Sequence, residues 1–285
     1  MPEEGFFKAG RSRPAPNIHS TRPSASAGSN GSRRASRDAE VNVTDRDVAA
    51  LCWLGEQFCA RADVLRVLLA RLGALAGGQL AERTMRQIIE RWEQSGLATR
   101  HRLLNHQWIV PTRKALHLVG LDVSYWSPVV PQLEHKHAVA IVRLALEPSI
   151  PAGGRWVSER ELRREADRTN LPDGAIEWPE DSDPRPVGRG LYGEEVDRLP
   201  PRVAVEVELT RKARAKLRDA LKRPRHGRYL QVDYYASAEA RSYLAAQVQR
   251  IAPRIPVRVH PLPELEGVTY LEARPVLGAI RGRAR

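Results

Sequence analysis

The sequence predicts an α/β chain, α+β overall, with a three-helix and hairpin first half and a mixed strand and helix second half. Two observations carry this. Apolar residues recur at helical spacing three times before a short, turn-centred pair of strands, and after about residue 129 strand-like runs alternate with helical ones. A third observation bears on function. The chain has 285 residues, a formal net charge of +12 and a pI near 10.3, a balance that favours a polyanionic partner.

The first 43 residues are rich in Ser, Arg, Pro, Ala and Gly without periodicity, and read as a disordered basic tail. Order is expected from Thr44, where Thr-Asp-Arg-Asp offers a hydroxyl N-cap with a carboxylate three residues on. Val48, Leu51, Cys52, Phe58 and Cys59 continue it as one helical stripe. Cys52 and Cys59, the only cysteines, would then have Cα atoms about 10 Å apart, too far for a disulfide. They read as core residues and form no zinc site.

A second helix carries Val64, Leu65, Leu68, Leu69 and Leu72, and ends at Gly73, Gly77 and Gly78. The third, from about Gln79 to Gln94, buries Met85, Ile88, Ile89 and Trp92 and turns Arg83, Thr84, Gln87 and Arg91 outward, with Arg86 beside them. Ser95 and Gly96 close it. Two short strands around Leu104, Asn105 and His106 follow, with Arg100, His101 and Arg102 on the way in, and a fourth helix is expected over 112–119. Three helices and a basic hairpin in this order predict a winged helix-turn-helix over 44–128, with one helix in the major groove and the hairpin on the flanking backbone. Arg83 and Arg91 suit phosphate or guanine edges, Gln87 adenine, and Thr84 a phosphate or a thymine methyl. A surface helix that is merely solvated would carry the same residues. His101 and His106 read as phosphate contacts or loop residues.

After Pro128 and Pro131 comes a helix over 133–146, then the strand-like Arg-Trp-Val-Ser-Glu-Arg, then Leu-Pro-Asp-Gly-Ala-Ile-Glu-Trp, a strand that starts at a Pro-Asp corner. An acidic, Pro- and Gly-rich insertion over 179–201 separates it from Val-Ala-Val-Glu-Val-Glu-Leu-Thr, a buried strand with Glu206 and Glu208 on one face. Helix, strand, helix and strand complete an α-β-β-β-α-β-α-β order over 129–265, and 266–285 read as a C-terminal tail. An aspartate, Asp173, from the neighbouring strand would complete an oxygen cage for Mg²⁺ or Mn²⁺. Such an ion would polarise a phosphoryl oxygen and activate water. Three carboxylates with no cation between them would repel one another.

Other charged residues have plainer readings. His135 and His137 are expected to cap or pack, Glu159 and Glu161 to be solvated or to supply a first-helix acid, and Asp233 to sit at a strand edge. The stretch 211–228 holds nine Lys or Arg residues against Asp219 alone. Arg211 and Lys216 would hold phosphates there, while Lys212 would stabilise charge developing on phosphate.

Pro172, Asp173, Glu206 and Val207 resemble the PD-(D/E)xK nuclease superfamily, in which a lysine would stand where this chain has Glu208; the nearest lysine is Lys212. From about Thr44 to Leu262 the chain is similar to the replication-relaxation family of actinobacterial plasmids and integrative elements. His135, Ser158 to Leu162, Pro172 to Gly174 and Val205 to Lys212 carry that resemblance. It implies a winged helix-turn-helix followed by a PD-(D/E)xK-like domain, and a role in replication or mobilisation of an element. The leading expectation is therefore a factor that binds double-stranded DNA, with a degenerate nuclease-like half. The alternative is a metal-dependent endonuclease or nickase using Asp173, Glu206, Glu208 and Lys212, and a further one is a transcriptional regulator.

Replication or mobilisation proteins are expected partners, and a homodimer on a palindromic site is an open arrangement. No apolar run of about 18 residues and no secretory signal is present, so a cytoplasmic protein without a membrane partner is expected.

Overall fold

The computed structural model describes residues 43–74, 80–165, 171–179, 202–222 and 229–270. The expected basic tail up to residue 42, Gly77, Gly78 and Gln79, the insertion over 180–201, the basic stretch over 223–228 and the tail from 271 onward lie outside the described residues.

Helix α1, Asp45–Gln57, starts at a capping box: the Thr44 hydroxyl accepts from the Asp47 N–H and the Asp47 carboxylate accepts from the Thr44 N–H. It is shorter than its apolar stripe suggested. Phe58 terminates it at φ 75°, and Cys59 follows outside the helix, buried but against Trp108, Val110 and Leu133 instead of the α1 neighbours. Val48 is exposed, because the inward face of α1 is Ala50, Leu51, Trp53 and Leu54. Cys52 is only half-buried, and both cysteines are free.

A two-residue strand β1, Ala60–Arg61, leads into α2, Ala62–Leu72, and α3, Glu82–Gln94. Helix α3 is strongly two-sided: Met85, Ile88, Ile89 and Trp92 are buried while Arg83, Arg86 and Gln87 are exposed. Strands β2, Ala98–Leu103, and β3, His106–Pro111, form a hairpin, and the sheet order is β1-β3-β2, antiparallel throughout. Leu103 pairs with His106, so Leu104 and Asn105 alone make the turn, both at positive φ (52° and 61°). That is the twist-matched two-residue hairpin turn, and Leu104 bears the unusual left-handed backbone. Helix α4, Arg113–Leu118, is capped by Thr112.

Helix α5, Val130–Leu146, is buried on nearly every side from Lys136 to Leu144. One face, Ala140, Ile141 and Leu144, enters the core of α1, α2 and α3, and the opposite face, Ala138, Val139 and Val142, packs on a second sheet. That sheet has five strands: β4, Arg155–Ser158; β5, Gly174–Glu177; β6, Arg202–Glu208; β7, Gln231–Ala236; and β8, Val257–Pro261. They lie side by side in chain order, β4, β5 and β6 antiparallel and β6, β7 and β8 parallel. The parallel pairs need crossovers, supplied by α7, Arg214–Lys222, and α8, Ala238–Ile251. An additional short helix, α6, Glu159–Glu165, follows β4 where the sequence had suggested only a strand.

Alternation along β6 sorts the two faces. Val205 and Val207 meet α5, whereas Ala204 packs with Leu217, Leu221 and Leu244 of α7 and α8. Gly174 is required where β5 begins: a Cβ there would lie 2.1 Å from the Trp156 ring.

Beyond β8 the chain turns back, and Val268 is buried in the core of α1, α2 and α3. The Thr269 carbonyl accepts from His137 Nε2 at 2.9 Å, and the Tyr270 hydroxyl donates to the Pro263 carbonyl at 2.6 Å. The stretch read as a C-terminal tail thus opens with docked residues. Among the described residues no helix is long and apolar enough to cross a membrane.

Candidate functional site

Two surfaces carry the residues singled out from the sequence. The first is the outer side of α3 with the β2–β3 hairpin. Arg83 and Gln87 are exposed, Thr84 is half-buried at the rim, and Arg86 is exposed with an i, i+4 ion pair to Glu82 at 2.8 Å. Such a pair is weak in water and leaves Arg86 available. Arg102 is exposed on β2, opposite Gln107.

Two predicted residues have other employment. The Arg91 guanidinium donates to the Asp47 carboxylate at 2.6 Å, and Arg100 is ion-paired with Glu93, which ties the hairpin to α3. Asp47, itself buried, also accepts from the Trp92 indole N–H at 3.1 Å. Burial alone would raise the Asp47 pKa, but hydrogen bonds from Thr44, the Arg91 charge and the indole hold it below its ordinary value. Arg91 and Arg100 therefore work first as braces that set the angle between α1, α3 and the hairpin.

The second surface is the end of the five-stranded sheet where β6 finishes and β5 begins. Glu206 and Glu208 project with Ala204 toward α7 and α8, as period two requires. Asp173 immediately precedes β5 and its carboxylate is held by two neighbours. One oxygen accepts from the Val207 backbone N–H at 2.8 Å, and the other is 2.7 Å from Nε2 of His135 on α5. His135, which the sequence had assigned to capping or packing, is thus a partner of Asp173, and only the Pro-Asp corner hinted at a residue needing a counter-charge. Burial pulls the His135 pKa down, but the hydrogen bond and charge of Asp173 outweigh it and raise the pKa above its ordinary value. The Asp173 pKa is correspondingly lowered against the effect of its own burial.

Lys212, in the loop before α7, ion-pairs with Glu208 at 2.5 Å. Burial would lower the Lys212 pKa, and the bond and charge of Glu208, then the charges of Glu206 and Asp173, raise it. Of the three predicted carboxylates, Glu208 contacts this ammonium, and the charges of Glu206 and Asp173 are felt there. Among the described residues, no three His, Cys, Asp or Glu side chains converge closely enough to ligate one ion.

Beside this cluster lies a charged seam to the first half. Lys136 is ion-paired with Glu159, and its ammonium sits 4.2 Å from the centre of the Phe58 ring. The Arg160 guanidinium lies 4.8 Å from the same ring and donates to the carbonyl oxygens of Gly55, at 2.5 Å, and of Ser124. Burial, then the neighbouring Arg163 charge, pushes the Arg160 pKa down to about 10.

No family model, curated protein or solved structure matches the chain. Two charge assignments, Glu159 and Asp233, are corrected by the geometry, and a third, Glu161, stays at the surface with a partner. Glu159 is a largely buried ion-pair member, not a solvated charge. Glu161 pairs with Arg155 at 2.7 Å. Asp233 lies on β7, an interior strand, where it accepts from Gln231 at 2.5 Å. The basic stretch is also shorter as a helix than expected: Arg211 and Lys212 belong to the loop, and α7 begins at Arg214. Arg211 and Lys216 are exposed, as anticipated.

Proposed function

We propose that the chain is a DNA-binding protein of a plasmid or integrative element, acting in its replication or mobilisation. It would grip duplex DNA with α3 in the major groove and the β2–β3 hairpin on the flanking backbone. The observation that carries this is the outer face of α3: Arg83, Thr84, Arg86 and Gln87 lie on the side of the helix opposite its buried stripe, next to a two-residue-turn hairpin bearing Arg102. Helix, strand, helix, helix and two strands, with sheet order β1-β3-β2, supports reading the first half as a winged helix-turn-helix. A net charge of +12 supports a polyanionic partner.

In the second half, α5 followed by three antiparallel strands, a crossover helix and a parallel strand resembles the PD-(D/E)xK plan. The residues do not fit a divalent ion as they stand. Asp173 has both oxygens committed, and Glu208 is neutralised by Lys212. We therefore read this half as a degenerate nuclease-like domain that supports DNA or a replication partner, in a protein working in the cytoplasm.

One observation favours the alternative of a Mg²⁺- or Mn²⁺-dependent nickase: the Asp173 carboxylate accepts from the N–H of Val207, the residue between Glu206 and Glu208, and Glu208 is paired with Lys212. Incubating supercoiled plasmid with the protein and Mg²⁺, Mn²⁺ or chelator, with footprinting in parallel, decides between them. Protection without strand scission is expected. Metal-dependent nicking that disappears in Asp173→Ala would replace this reading with the nickase, and neither protection nor nicking would defeat both.

A further inference from the structure

The loop between β6 and α7 is fixed by its neighbours. The Ser237 backbone N–H donates to the Glu208 carbonyl at 2.9 Å, and the Ser237 hydroxyl donates to the Leu209 carbonyl at 2.8 Å. Ser237 is also the N-cap of α8, so the end of β6 and the start of α8 are held together. This brings Arg211 over the second turn of α8, where its guanidinium carbon lies 4.6 Å from the centre of the Tyr243 ring. Tyr243 is half-buried and rests against the core formed by Leu217, Leu221 and Leu244.

A surface arginine ordinarily samples many rotamers, and ordering it on a ligand costs entropy; resting on an aromatic ring restricts it beforehand. A guanidinium is flat and weakly hydrated, and it stacks on planar groups as an ammonium does not. Arg214 and Lys216 follow, exposed, and among the described residues neither they nor Arg211 has an acidic partner. A cationic track for phosphates thus starts at a flat stacking element.

A duplex can use the track but not the stack, because its base faces are already covered. An unpaired nucleotide can use both. Resting on the nucleic-acid reading above, we propose that Arg211 and Tyr243 form a stacking platform for an unpaired base, with Arg214 and Lys216 holding the adjoining phosphates. The second half of the chain then takes hold of DNA that carries a single-stranded stretch, next to the carboxylate cluster through Lys212.

The test uses the full chain and fluorescence anisotropy on a blunt duplex and on the same duplex with a ten-nucleotide single-stranded extension. A 2-aminopurine in the extension reports stacking directly. The wild type is expected to prefer the extended duplex by about tenfold, the return on one stacked base, with a change in 2-aminopurine fluorescence. Tyr243→Leu keeps the apolar packing and Arg211→Lys keeps the charge. Each should abolish the preference and the fluorescence change, and Tyr243→Leu should do so with blunt-duplex affinity unaltered and cooperative thermal unfolding retained. No preference in the wild type, or one that survives both substitutions, overturns the platform. Failure of the duplex reading looks different: the blunt duplex is then not bound, or is bound with no dependence on Arg83 and Arg86.

Discussion

Asp47 allows a demanding test of how the first half is held together. Its side chain is 1% exposed and serves four donors: the Thr44 N–H and hydroxyl, the Arg91 guanidinium and the Trp92 indole. Replacing it with alanine removes the reciprocal half of the capping box, a loss of about 1 kcal/mol. It also leaves a buried indole N–H without an acceptor, which costs about 1–3 kcal/mol. Arg91 is 40% exposed and can turn to water, so its lost pairing adds little. Asp47→Ala should therefore destabilise the protein by about 3 kcal/mol, read from urea unfolding as a lowered midpoint at unchanged slope. Asp47→Asn retains an acceptor for the indole and should lose about half as much. The sign with pH follows from a carboxyl whose folded pKa is depressed: its contribution is complete above its ordinary value of about 4 and fades as pH falls through the lower folded value. The gap between wild type and Asp47→Asn should accordingly be full at neutral pH and close in strong acid. A loss under about 1 kcal/mol for Asp47→Ala, or a gap that widens in acid, would refute the reasoning.

Gly174→Ala should cost at least about 1–3 kcal/mol, since its Cβ would meet the Trp156 ring at 2.1 Å and either strand or indole must yield; thermal unfolding measures it. His137 is buried, and burial, then the Arg61 charge, lowers its pKa to about 4 despite its bond to the Thr269 carbonyl. The folded protein thus resists protonation there: stability should be complete above about pH 6.5 and fall as pH drops from there toward 4. His137→Gln should flatten that acid limb, and an unchanged limb would assign it elsewhere. On the DNA side, Arg86→Ala should weaken duplex binding and reduce the slope of log K against log salt by about 0.9 if Arg86 holds one phosphate, measured by anisotropy across salt concentrations. Arg91→Ala is expected to act mainly on stability, since its guanidinium already serves Asp47.

The elements legible in the sequence were those with strong periodicity or strong local chemistry. Helix α3 declared itself through Met85, Ile88, Ile89 and Trp92, the capping box through Thr44 and Asp47, and β6 through alternating Val and Glu. The hairpin turn was expected around Leu104, Asn105 and His106; Leu104 and Asn105 make it, although neither is glycine, and His106 already belongs to β3. What stayed hidden depended on long-range partners. Arg91 looks outward on a helical wheel, yet Asp47, on another helix, captures it. Asp173 was expected to complete an oxygen cage with Glu206 and Glu208, but an in-sheet N–H together with His135 claims its oxygens. Nothing in local pattern marks His135 as that partner. The apolar stripe of α1 ran on into Phe58 and Cys59 because residues past a helix end can still be buried by other elements.

The return of the chain after β8, with α5 serving both cores, bears on how such a protein could be recombined. A fragment ending near residue 128 would expose the surfaces that Ala140, Ile141, Leu144 and Val268 cover, and a fragment beginning there would present those side chains to water. The two halves are therefore not interchangeable cassettes. A chimera that grafts a different first half onto this sheet must import one whose underside accepts α5 and residues 265–270; on the proposed DNA-binding reading, a change of target is more readily reached by substitutions on the outer face of α3 than by exchange of the whole first half.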